Sequence, residues 1–177
     1  QISMSKIQFF FLSTLLISLI ACQPRAKKIG SYQLLPQPQI ASVSGASNLI
    51  YSDVKTYYAE PGAELPVVGA LLKNIEPTKE ALKADMVFGV DDAMDIKAEG
   101  YKLNVLENQI TIAAKDEAGL LYAFMTLEQL MEDAKEQDAN LPLSSITDYP
   151  ALAYRAIHLD VKHHLEKTEY YYQLMDK

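Results

Sequence analysis

The sequence predicts an α+β domain, a small sheet with helices on one of its faces. Three observations predict it. In "GYKLNVLENQITIAA", Tyr101, Leu103 and Val105 alternate with polar residues, "EN" turns, and Ile110, Ile112 and Ala114 alternate again. That period of two is a hairpin with one buried and one wet face. "KDEAGLLYAFMTLEQLMEDA" follows at once, with Leu120, Phe124, Leu127 and Met131 on one stripe and Leu121 and Leu130 beside it. That is an amphipathic helix able to cover the buried face of the hairpin. The order along the chain, strand, helix, strand, hairpin, helix, then places the helices over one sheet face.

The chain begins with "QISMSKIQFFFLSTLLISLIACQPRAKK". Gln1 is not an initiator, and Met4 is the expected start. Lys6 forms a short positive n-region, and Ile7 to Ala21 is apolar apart from Gln8, Ser13, Thr14 and Ser18. This run is short of the roughly 20 apolar residues of a spanning helix. It has the length of a signal-peptide core. It ends in "LIAC", where Leu19, Ala21 and Cys22 match a bacterial lipobox. Residues 1–21 are therefore expected to be removed, leaving Cys22 as the lipidated first residue. The alternative is an ordinary secretory signal that happens to carry a cysteine. Cys22 is the only cysteine in the chain, so no intramolecular disulfide can form. The expected location is the bacterial cell envelope, lipid-anchored and facing the periplasm or the cell surface. Residues 22–38 contain Pro24, Pro36, Pro38 and several glutamines, and read as a flexible linker.

Residues 39–150 carry the predicted domain. "QIASVSG" (39–45) reads as a first strand, and "NLIYSDVKTYYA" (48–59) is mixed. From Glu64 the set Leu65, Val68, Leu71, Leu72 and Ile75 recurs at helical spacing, with Pro66 in the first turn, where a missing N–H costs nothing. "ADMVFGV" (84–90) is a short β-rich run before the hairpin. Asp116 is placed to cap the following helix. Gly119 inside that helix costs about 1 kcal/mol against Ala, and a close backbone approach would explain it.

The charges total 16 basic and 23 acidic. No basic run is long enough to suggest nucleic acid. "RAKK" (25–28) reads as part of the tether. An acidic exported protein suits a neutral or basic ligand. "DD" at Asp91–Asp92 and "ED" at Glu132–Asp133 read as solvated surface charge.

The most site-like residues crowd into "YRAIHLDVKHHLE" (154–166), which holds Arg155, Asp160 and all three histidines, His158, His163 and His164. Their spacing is no metal-ligand signature, and "HHLE" is not H-E-x-x-H, so no metal is expected. The downstream "EYYYQL" (169–174) is either an exposed tyrosine patch or, from the spacing of Tyr170 and Leu174, a core-facing stripe.

Three stretches resemble family 20 glycoside hydrolases, the β-N-acetylhexosaminidases. "DEAGLLYAFMTLEQL" resembles the helix that ends their N-terminal accessory domain, with Ala118, Gly119, Tyr122, Thr126, Leu127, Gln129 and Leu130 in the family's places. The preceding hairpin is similar. "SSITDYPALAYRAIHLDVKHHLE" resembles the lead-in to the catalytic barrel, with Ile146, Asp148, Pro150, Arg155, Leu159 and Asp160 matching. The resemblance is good from Ala84 to Lys177 and loose before that.

The resemblance implies that residues 151–177 begin a (β/α)8 barrel, its first strand in "YRAIHLD" and its first helix from Thr168. A barrel of that class runs to about 250 residues, so the sequence is expected to be the truncated N-terminal part of a longer enzyme. It implies exo-acting hydrolysis of terminal N-acetyl-hexosamine residues from glycans, with no cofactor. In that family the substrate's own acetamido oxygen is the nucleophile, a departure from the two-carboxylate scheme. An Asp orients it and an adjacent Glu is the general acid. No counterpart of that pair is found in these residues, so this stretch alone is expected to be inactive.

Arg155 is the residue the resemblance assigns to the terminal sugar's hydroxyls; a structural ion pair is the alternative. A guanidinium's fork of five donors suits vicinal hydroxyls. Asp160 stands between site support and structural hydrogen bonding. His164 aligns with a family histidine at the subsite edge or in loop structure. Ala156 replaces a common glycine and His163 a usual arginine, which alters the expected shape of the sugar pocket. The other readings are a carbohydrate-binding lipoprotein without catalysis and a surface interaction module.

Overall fold

The computed structural model describes residues 27–66, 71–156 and 166–175. Its centre is one seven-stranded sheet. The strands are β1 (Ile40–Ala46), β2 (Thr56–Ala59), β3 (Glu76–Pro77), β4 (Met86–Val90), β5 (Tyr101–Val105), β6 (Ile110–Ala114) and β7 (Pro142–Asp148). They lie in the order β1-β7-β5-β6-β4-β2-β3. Helix α1 (Glu117–Glu136) joins β6 to β7, and α2 (Thr168–Met175) follows later in the chain. The α+β class is as the sequence predicts, but the sheet is larger than predicted.

The hairpin is the expected one. β5 and β6 pair antiparallel with Leu103 opposite Ile112, and Leu106 N donates to Gln109 O across the turn. β5 also pairs antiparallel with β7, placing Leu103 opposite Ile146. β6 and β7 are therefore parallel, with β5 inserted between them and α1 as the crossover. On β5 and β6 every odd or even alternate side chain is buried in turn, Tyr101, Leu103 and Val105 facing Ile110, Ile112 and Ala114.

α1 covers that face. Asp116 caps it, its Oδ1 accepting from Gly119 N at 2.8 Å. Leu120, Phe124, Leu127, Leu130 and Met131 are buried, each contributing about 1.5–3 kcal/mol of transfer free energy. Phe124 meets Phe88 of β4 edge-on at 5.2 Å, and Phe88 stacks on Tyr57 of β2 at 5.5 Å. Gly119 is explained by packing. A Cβ there would lie 2.5 Å from the Gly100 carbonyl oxygen and 3.0 Å from Glu99 C.

Several expectations are corrected. The helix read from Glu64 to Ile75 is absent at both its described ends: residues 63–66 have no regular structure and 71–74 form a turn, while 67–70 lie outside the described residues. Leu72 and Ile75 are still buried, so the apolar spacing reported burial and not helix. Tyr170 of α2 is half exposed and meets Tyr171 edge-on at 5.5 Å, so it does not face a core; the Leu174 side chain is outside the described set. Tyr154–Ala156, expected to open a strand, have no regular structure, and the rest of that stretch to residue 165 is not described.

The predicted flexible linker is, from residue 27 onward, a strap bound along α1. Ser31 N donates to Gln137 Oε1, Gln33 N to Asp133 Oδ2 and Leu35 N to Gln129 Oε1, each at 2.8 Å. The amide groups of Gln129 and Gln137 donate back to Leu35 O and Ser31 O. The physical reason is a match of repeats. Two extended residues advance about 6.6 Å, and four helical residues advance about 6 Å. Gln129, Asp133 and Gln137, four apart, thus serve as a strand-like partner for alternate strap residues, while Tyr32 and Leu34 between them pack on the core. Asn140 fastens the far end: its N donates to Lys28 O at 2.9 Å and its Oδ1 accepts from Lys28 N at 3.2 Å.

One buried side-chain polar atom has no protein partner among the described residues, Ser144 Oγ on β7. An unsatisfied hydroxyl costs roughly 1–3 kcal/mol when buried. Ser144→Ala is expected to leave stability unchanged or raise it by about 1 kcal/mol. Urea denaturation checks this, and a clear loss would mean the hydroxyl is satisfied.

Candidate functional site

At the end of the sheet near the N-terminus of α1 lies a cleft of about 490 Å³. The strap supplies one wall through Leu35, Pro36, Gln37 and Gln39. α1 supplies Tyr122, Met125, Thr126 and Gln129; the start of β5 supplies Glu99 and Tyr101; the segment leaving β7 supplies Asp148 to Leu152 and Arg155. Apolar walls thus surround a set of carboxylate, amide, phenol and guanidinium groups. That chemistry suits a neutral ligand rich in hydroxyls.

Tyr101 forms the floor. Antiparallel register sets it opposite Asp148, and its ring is 1% exposed. Its hydroxyl lies 2.6 Å from Thr126 Oγ1 and donates to Asp148 Oδ2 at 3.4 Å. Burial pushes the Tyr101 phenol up to about 12; the Thr126 hydroxyl opposes this and the Asp148 carboxylate adds to it. An unfolded tyrosine loses its proton near 10. The raised value therefore stabilises the fold fully below pH 10, and that contribution is lost as pH rises from 10 to about 12. We expect wild type to lose up to about 2–3 kcal/mol more than Tyr101→Phe over this window. Urea denaturation of both proteins at pH 9 and pH 12 checks it; parallel losses would remove the assignment.

Arg155 stands at the rim. Its Nη1 donates to Leu152 O at 2.7 Å, and its Nη2 donates to the Glu99 carboxylate and to Tyr122 Oη at 3.3 Å. Its guanidinium carbon lies 6.0 Å from the Tyr122 ring centre. The hydrogen bond to Glu99, then that to Tyr122, holds the guanidinium more basic than usual, so it is charged at every pH of interest. Lys97 Nζ sits 4.6 Å from the ring centre of Tyr149, which lines the cleft.

Of the candidate site residues the sequence singled out, only Arg155 reaches this cleft within the described set, while the motif positions Tyr122, Thr126, Gln129, Asp148 and Pro150 line it too. Asp160, His158, His163, His164 and Cys22 lie outside the described residues. Among the described residues no three His, Cys, Asp or Glu side chains group to hold a metal ion, and no helix is long and apolar enough to cross a membrane. Asp91, Asp92 and Glu132 are exposed, and Asp133 serves the strap. Glu99 and Tyr101 were not read as site residues. Nothing in the one-dimensional pattern marks them, because Glu99 reaches the cleft from a left-handed backbone position and Tyr101 looks like any core position of a hairpin.

A family model described as "Glycosyl hydrolase family 20, domain 2" matches residues 31–149. The chain belongs to glycosyl hydrolase family 20. The match starts within the strap, in keeping with a strap built into the domain. A relative, the "Beta-hexosaminidase" of Porphyromonas gingivalis, is 29% identical over 177 residues, covering 87% of this chain and 22% of that protein. The "Beta-hexosaminidase" of Vibrio vulnificus is 30% identical over 104 residues, covering 55% of this chain and 12% of its own length. The chain thus spans about a fifth of the length of the first of these relatives. Among solved structures, the β-N-acetylhexosaminidase of Bacteroides fragilis superposes with a TM-score of 0.64 at 24% identity, over 81% of this chain and 30% of that one. The family 20 enzyme of Streptomyces coelicolor gives 0.64 at 20% identity, over 85% and 33%. These likenesses show the fold.

Proposed function

We propose that this chain is the N-terminal part of an exported exo-β-N-acetylhexosaminidase, supplying its accessory domain and the approach to its catalytic barrel. The family match over residues 31–149 is the observation that carries the reading. The chemistry is hydrolysis of terminal N-acetyl-hexosamine from glycans with retention, the substrate's acetamido oxygen attacking the anomeric carbon. The Asp that orients that group and the Glu that protonates the leaving oxygen are assigned to a barrel outside these residues. Arg155 binds hydroxyls of the terminal sugar, with Asp160 and His164 at the edge of that subsite.

The test compares the complete open reading frame with residues 22–177 alone, on a chromogenic N-acetyl-β-glucosaminide. The complete protein should release the chromophore and the isolated stretch should not. Sugar binding without turnover by the complete protein would favour a non-catalytic carbohydrate-binding role instead.

The anchor belongs to the same proposal. "LIAC" motivates lipidation of Cys22 and a place in the bacterial cell envelope. Cys22→Ser in the complete protein should shift it from the membrane fraction to the soluble one. Equal partitioning of mutant and wild type would sink the anchor.

A further inference from the structure

We propose that Glu99 is a positioning residue that aims Arg155 at the sugar, with Tyr122 fixing the other side of the guanidinium. The inference rests on the reading of Arg155 as a sugar-binding group. It goes beyond that reading by assigning a role in the reaction to the accessory domain.

Glu99 is unusual in its backbone. Its φ is +62°, in the left-handed region, which costs a non-glycine residue on the order of 1–2 kcal/mol. Three features hold it there. Its N–H donates to Asp116 Oδ2 at 2.7 Å, while the other oxygen of that carboxylate caps α1. The next residue is Gly100, whose missing Cβ would meet Ile96 and the Lys97 carbonyl at 2.7 Å. The Gly100 carbonyl accepts from Lys115 N at 2.8 Å and lies under Gly119. The helix cap, the strand start and the turn therefore all fix one side chain, and that side chain points at Arg155. Strain retained at a residue that touches a functional group is a pointer to function.

The contact has the form a positioning role needs. The Glu99 carboxylate and the Tyr122 hydroxyl take both hydrogens of Nη2, and Leu152 O takes one from Nη1. These are three of the five N–H donors of a guanidinium. The two that remain, Nε–H and one on Nη1, lie on different edges of the guanidinium, and each can donate to a separate sugar oxygen. A flexible arginine would have to be ordered on binding, and a pre-aimed one avoids that cost.

The test uses the complete enzyme and four variants: Glu99→Gln, Tyr122→Phe, Arg155→Ala and the Glu99→Gln/Arg155→Ala double. Melting temperature and steady-state kinetics are read on the same preparations. Glu99→Gln is expected to lower kcat/KM about three- to tenfold, the size of a modest coupling, with the melting temperature nearly unchanged. Tyr122→Phe should give a smaller loss. In the Arg155→Ala background Glu99→Gln should cost nothing further, because its effect runs through the arginine. If Arg155→Ala is impaired but Glu99→Gln is kinetically normal, Glu99 does not position it. A loss from Glu99→Gln that persists in the double variant, or that follows the melting temperature, overturns the inference too. If Arg155→Ala itself is kinetically normal, the sugar-binding reading has failed and the positioning role falls with it.

Discussion

Gly119→Ala is expected to lower the melting temperature of the domain by about 10 °C, at roughly 4–8 °C per kcal/mol for a domain near this size. Two effects compete. Alanine is the better helix residue by about 1 kcal/mol. Against that, its Cβ would stand 2.5 Å from a backbone oxygen, that of Gly100. That carbonyl cannot swing aside as a side chain could. It accepts from Lys115 N and leads directly into β5. Forcing a methyl group into a filled contact costs about 1–3 kcal/mol and occasionally more, and here the neighbour is fixed on both sides, so the upper end applies. Gly45→Ala is the control, since its Cβ would meet only Leu143 Cδ1 at 3.7 Å. Thermal melts of the three proteins decide it. A Gly119→Ala protein as stable as wild type would show that the 99–100 peptide yields and helix propensity wins.

Arg155→Ala in the complete enzyme should lower kcat/KM by roughly 10- to 150-fold, the span expected for lost hydrogen bonds to a charged group. The structure gives the competing, purely structural role a concrete form, the ion pair with Glu99. The side chains of Arg155 and Glu99 are 44% and 29% exposed. Exposed ion pairs contribute little to stability, so the melting temperature should barely move while turnover falls. Lysine should not restore activity, because one ammonium with three donors cannot hold Glu99, Tyr122 and Leu152 O and still offer donors to the sugar. A destabilised enzyme with normal kinetics would show that Arg155 holds the segment after β7 and not the sugar.

What the sequence revealed depended on whether one face of an element was clearly apolar. β5, β6 and α1 each bury a continuous stripe, and their periods are plain. β7 presents Pro142, Ser144 and Ile146 to the core, only one of them a large aliphatic residue, so its period was invisible. β2 and β3 are four and two residues long and are defined by parallel pairing with distant partners, which no local pattern records. The strap was misread because prolines and glutamines signal a spacer, whereas its partners are side chains spaced along a helix. At the site, Arg155 was legible through its motif. Glu99 was not, since its place beside Arg155 comes from a turn conformation and a contact 56 positions away.

The strap has a directional consequence. It runs from Lys27, which pairs with Glu107 at the hairpin turn, past the C-terminal end of α1 to Leu35 at the cleft. Under the lipid-anchor proposal, the few residues between Cys22 and Lys27 reach no farther than about 18 Å. The hairpin-turn end of the domain would then sit close over the bilayer. The cleft would stand away from it by about 10–20 Å along α1, since its lining residues Gln129 to Tyr122 lie part-way up that helix from Glu136. A long floppy leash would let the enzyme tumble and meet glycans from any side. A short leash ending in a clamped strap would, under that proposal, set an upright posture, with the cleft turned outward from the lipid toward polymers arriving from beyond the surface.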